Sequence, residues 1–188
     1  LKNFPILLSF FGFYLFPIVV IELINSRPKD FLNKYYKPFT FAIAIFVLLL
    51  LTGLLNYLGN YLIGGGAVLK LNYLIFKNNF LLLLLFSSIG FSILFCIIKE
   101  DPKNNIIILL PIFIIYGFPD LLYQEYVEPL ILIVFFLALR TNLQKIFFSK
   151  ILFSNIVLLL YFGVYLLGSI YFKHFAFKSL EEWRIFLQ

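Results

Sequence analysis

Apolar runs about as long as a bilayer is thick alternate along this chain with short polar segments. A spanning helix needs about 20 predominantly apolar residues, and the stretch from Phe4 to Ile24 meets that requirement. Pro5 suits its first turn, whereas Pro17 lies inside it. A kink is expected there, tolerated if a neighbouring helix satisfies the carbonyl that proline leaves free. Glu22 stands near the exit, within reach of the interface. Phe39 to Ile63 forms the second run, and Asn56 and Asn60, four apart in its far half, share one helix face. That face either bonds another helix or lines a cavity. Gly64-Gly65-Gly66 ends the run, because consecutive glycines break helices.

The pattern continues with a loop and short interfacial helix over 67–79. Phe80 to Ile98 is the third run, with Ser87, Ser88 and Gly90 as close-packing positions. A fourth, from Ile106 to Phe118, is made irregular by Pro111 and Pro119. Leu130 to Leu139 is too short to span alone, so its helix is expected to begin near Asp120 and end near Arg140, interrupted at Pro129. Ile151 to Phe172 is the last run, with Gly163 and Gly168 as packing points, and the tail to Gln188 reads as an interfacial segment anchored by Trp183. The expected fold is all-α: one polytopic transmembrane domain over 1–188, of about six helices.

Composition agrees with the pattern. Of the 188 residues 63% are hydrophobic and 13% charged, against about 45–50% and about 25% in soluble domains. The net charge of +6 would raise nucleic acid as a partner in a soluble chain. Here the cations sit in loops and no nucleic-acid-binding motif accompanies them, so the bilayer is the partner they imply. Segments 25–38, 99–105 and 140–150 carry nine Lys or Arg and the opposite side six, which orients the first set toward the cytoplasm. The single cysteine, Cys96, cannot form an internal disulfide and reads as a buried, inert thiol. The sequence contains no Met, which suggests the C-terminal part of a longer chain.

Candidate chemistry concentrates at one place. Asp120, Glu125 and Glu128 lie within nine residues with no Lys or Arg among them, directly before an uncharged run. Carboxylates complement a helix N-terminus; they also suit a site at the membrane surface. By alternation this acidic collar and the triple glycine, followed by Lys70, share the outer side, where they are expected to form one pocket. Gly65 and Lys70 could cradle a phosphate, although the spacing is not that of a P-loop. A plain turn is the competing reading. His174 is the lone histidine, so no metal site is expected, and nothing calls for a cofactor.

The run Glu125-Tyr126-Val127-Glu128-Pro129 resembles the Arg-Tyr-x-x-Pro pattern in late membrane helices of GT-C glycosyltransferases, which use polyprenyl-phosphate sugars. Over Tyr123 to Leu132 the chain is also similar to dolichyl-phosphate-glucose alpha-1,2-glucosyltransferases. Tyr126 and Pro129 match, and Glu125 stands where the pattern has Arg. The resemblance implies a membrane glycosyltransferase whose catalytic carboxylate, in a first outer loop, lies outside this chain. The residues here would then bind the lipid carrier or acceptor: Tyr126, Glu128, Glu125, Asp120, Lys70 and Gly65. The rival readings are a non-catalytic subunit of a respiratory or other membrane complex, and part of a lipid-linked polysaccharide flippase or polymerase. The style of the sequence fits a bacterial inner membrane.

Overall fold

The computed structural model describes residues 3–52, 68, 71, 81–118 and 124–175, with the backbone alone at 124–125 and 172–175. The described residues form helices and contain no strand: α1 (Phe4–Asn25), α2 (Pro28–Leu51), α3 (Leu81–Glu100), α4 (Pro102–Gly117), α5 (Gln124–Ile133), a π-helical turn (Val134–Ala138), α6 (Asn142–Ser149) and α7 (Ile151–Phe175). The protein is an all-α membrane helix bundle. Among the described residues four helices (α1, α2, α3 and α7) are long and apolar enough to cross a membrane. Tyr126–Ala138 with Asn142–Ser149 makes a fifth candidate, broken by an 88° bend. At 16 residues, α4 is shorter than an untilted span requires.

α1 is the axis of the bundle. Nearly all of its surface is buried, whereas most of α7 is open. Leu159, Leu160, Val164 and Leu167 of α7 are exposed, as befits side chains facing lipid. Because lipid is as apolar as leucine, helices in a membrane associate through close packing and polar contacts. The α1–α3 crossing shows how close that packing is. A Cβ on Gly12 would stand 2.0 Å from the Phe86 carbonyl oxygen, and one on Gly90 would stand 1.9 Å from that of Leu8. The Ser87 hydroxyl donates to the Pro5 carbonyl across the same interface at 2.6 Å. Gly90 and Ser87 thus pack as expected. Gly163 and Gly168 do not, since an added Cβ at either meets nothing within 4 Å; they lie on the open side of α7.

Two segments read as loops are helical. α2 starts at Pro28, not Phe39: Arg27 is extended, Pro28 supplies a preset φ at the first turn and Asp30 complements the dipole there. Within 140–150, Thr141 and Gln144 form a capping box that starts α6. The expected interruption at Pro129 is also absent. α5 runs through Pro129, which forfeits only its own amide bond to the Glu125 carbonyl. The break comes later, at residues 139–141. There the Leu139 amide reaches back five residues to the Val134 carbonyl at 3.0 Å, and the chain leaves the helix extended.

Asn105 holds that break in place. It is fully buried. Its amide nitrogen donates to the carbonyls of Ile97 (2.7 Å) and Arg140 (3.0 Å), and its oxygen accepts from the Arg140 amide (2.9 Å) and the Asn104 side chain (3.3 Å). All four bonding positions of the side-chain amide are filled. Gln144 donates to the Phe135 carbonyl beside it.

Pro17 shows why a proline is tolerated inside α1. It cannot donate to the carbonyl of Phe13, four residues back. The Tyr161 hydroxyl of α7 donates to that oxygen at 2.9 Å. Pro38 repeats the arrangement in α2, where the Cys96 thiol of α3 donates to the Lys34 carbonyl at 3.6 Å. Cys96 is therefore a buried thiol with a structural partner.

Candidate functional site

Among the described residues, two polar clusters are built on carboxylates, in addition to the Asn105 network. The first lies midway along α1. Tyr14, fully buried, donates its hydroxyl to a carboxylate oxygen of Glu128 at 2.8 Å. The Tyr165 hydroxyl joins the same pair, and the Tyr14 ring stacks on Phe162 with centroids 6.1 Å apart. Side chains of three helices, α1, α5 and α7, thus meet at the Tyr14 hydroxyl, with Glu128 its acceptor. Ionisable side chains within a membrane are costly and mark functional positions by default. Glu128 is level with the middle of α1, deeper than a residue at the mouth of a helix.

Sequence reasoning named Glu128 and missed its partner. Tyr14 stands within an unbroken apolar run, so only the contact with α5 distinguishes it from the aromatic packing around it. Tyr126, another of the expected binding residues, is exposed, whereas Val127 beside it is buried. Glu125 contributes its backbone to α5. Gly65, Lys70 and Asp120 lie outside the described residues, and so does the pocket expected between the triple glycine and the collar. Asn56, Asn60 and Trp183 fall outside them too, and His174 is described by its backbone alone, within α7. Among the described residues no group of three His, Cys, Asp or Glu side chains gathers to hold a metal ion.

The second cluster sits where segments 25–38, 99–105 and 140–150 meet, at one end of the bundle. Glu22, in the last turn of α1, is buried against its neighbours. It accepts from the Lys34 ammonium at 2.8 Å and the Tyr35 hydroxyl at 2.6 Å. Lys34 also reaches Glu100 at 3.1 Å. The other oxygen of Glu100 accepts from the Asn142 amide at 2.6 Å, placing a carboxylate at the start of α6 where the dipole favours it. Lys150 and Asn25 close the ring. This cluster ties α1, α2, α3 and α6 together. Its buried charges are paired, as burial requires, so its chemistry is that of a clamp. The signal was present in sequence: Glu22 is the lone acid of its run, and Lys34 and Tyr35 are adjacent in the next element.

Comparison with protein-family models, with curated proteins and with solved structures yields no match.

Proposed function

We propose that the chain is the membrane region of a glycosyltransferase that draws its sugar from a polyprenyl phosphate, and that α5 contributes to the lipid-carrier or acceptor site. The observation that carries this reading is the Glu128 carboxylate, kept inside the bundle by Tyr14 at 2.8 Å and set in the Tyr126-x-x-Pro129 pattern of α5. A carboxylate facing a sugar accepts hydrogen bonds from its hydroxyls. The exposed Tyr126, on the same helix, supplies a flat apolar face with a polar tip. Glu125, Asp120, Lys70 and Gly65 complete the site in this reading, Lys70 neutralising the carrier phosphate. The membrane is the bacterial inner membrane, with 25–38, 99–105 and 140–150 on the cytoplasmic side.

Photo-crosslinking tests the proposal. A benzophenone-tagged polyprenyl-phosphate sugar is expected to label the peptide spanning Tyr126 to Pro129. Unlabelled carrier should compete, and Glu128→Gln should weaken labelling about tenfold, the size of one charge-assisted hydrogen bond. Labelling that ignores both competitor and substitution removes the reading.

A further inference from the structure

A cleft of about 650 Å³ opens between α2 and α3 at the Glu22–Glu100 end of the bundle. We propose that it binds one anionic phospholipid of the surrounding leaflet, phosphate at the rim and acyl chain along the wall. This inference is independent of the proposed transferase activity, since it uses neither Glu128 nor the collar.

The order of residues along the two helices carries it. α2 starts at this end and α3 finishes there. On α2, Lys37 precedes Phe41 by one turn; on α3, Phe91 and Phe95 precede Lys99 at the same spacing. Residues four apart share a helix face. Two helices of opposite direction therefore each place lysine toward the end of the bundle and phenylalanine deeper. All five side chains line the cleft. The three rings form a strip, with centroids of Phe41 and Phe91 6.2 Å apart and of Phe91 and Phe95 6.3 Å apart. Phe41 and Phe95 are largely exposed along it. The layering, cation over aromatic, matches a lipid's headgroup over its chain.

Charge decides which lipid. Lys34 and Glu100 also line the cleft; with Glu22 they sum to one negative charge, so Lys37 and Lys99 leave these five side chains with a net charge of +1. Lys37 and Lys99 are exposed and make no salt bridge among the described residues. Two ammonium groups over an apolar wall favour a negatively charged headgroup, and basic pockets between membrane helices select such lipids. A zwitterionic headgroup would bring its own cation against them.

Native mass spectrometry of the purified chain, released from micelles doped with either phosphatidylglycerol or phosphatidylcholine of matched chains, tests the site. Each lysine near an anionic headgroup is worth about fivefold in affinity. Retention of phosphatidylglycerol is expected to exceed that of phosphatidylcholine on the order of twentyfold, and Lys37→Gln/Lys99→Gln should erase the difference. Both lysines are exposed, so unchanged helicity and elution volume are expected of that variant. Equal retention of the two lipids overturns the proposal, as does a preference that survives the double substitution. Displacement of the lipid by millimolar inorganic phosphate overturns it in favour of a free-anion site.

Discussion

The Tyr161 hydroxyl stands 2.9 Å from the carbonyl oxygen of Phe13, the one acceptor in α1 that Pro17 deprives of its helical donor. An unsatisfied carbonyl in a lipid-surrounded bundle costs several kcal/mol, because no water replaces the lost bond. Proline and tyrosine, on α1 and α7, therefore act as a pair. Tyr161→Phe is expected to destabilise the protein by about 1–3 kcal/mol. With Pro17→Ala already present, the same change should cost much less, since the alanine's own N–H restores the helical bond to the Phe13 carbonyl. A double-mutant cycle read by thermal unfolding in detergent measures the coupling; additive effects would refute the pairing.

Gly12 and Gly90 let two backbones approach until no side chain fits between them. Alanine at either position places a methyl group within 2.0 Å of backbone oxygen on the other helix, and backbone cannot rotate away as a side chain can. Overpacking costs about 1–3 kcal/mol where side chains yield, and the loss here should exceed that range. Gly163→Ala is the control, since open space surrounds it. Thermal midpoints in detergent should fall sharply for the first two variants and stay unchanged for the third.

Lys34 serves two carboxylates, Glu22 and Glu100. Lys34→Met leaves Glu22 buried without its cation, a loss of about 3–5 kcal/mol for a buried pair broken on one side. Adding Glu22→Gln removes the stranded charge and should recover part of that stability. Chemical denaturation of the single and double variants separates these outcomes; no recovery would mean that packing, and not charge, dominates at Lys34.

Asn105 fills all four of its bonding positions at the 88° break. Asn105→Leu keeps the branched shape and strands the Arg140 amide and the Ile97 and Arg140 carbonyls. A loss of about 2–4 kcal/mol is expected, at about 1–3 kcal/mol for the buried Ile97 carbonyl and less for the two part-buried Arg140 groups. Hydrogen exchange should quicken first in α6, which that break positions.

Tyr14→Phe deprives Glu128 of a buried donor. The expected cost is about 1.5–3 kcal/mol, the range for a bond to a charged group. Glu128→Gln retains an acceptor and should cost less. If both variants unfolded at the wild-type midpoint in detergent, the contact would have no part in holding α5 against α1.

Membrane character, helical class and the positions of α1, α3 and α7 were all legible in the residues. They follow from run length and apolar content, which are local quantities set by bilayer thickness. The need of the Phe13 carbonyl for an outside donor was legible too, from Pro17. The donor was not. Tyr161 for Pro17 and Cys96 for Pro38 come from helices far along the chain, and no spacing rule connects them. The same holds for Glu22 and Glu128. Both carboxylates are plain in the residues, Glu22 alone in its run and Glu128 last of three, but what each pairs with depends on a lysine and two tyrosines that the helix crossings bring to them. Helix ends divide in a similar way. Pro28 and Thr141 start helices through local capping, whereas the break at residues 139–141 lies well past Pro129, because Asn105 of a neighbouring helix, and not the proline, holds the chain open there.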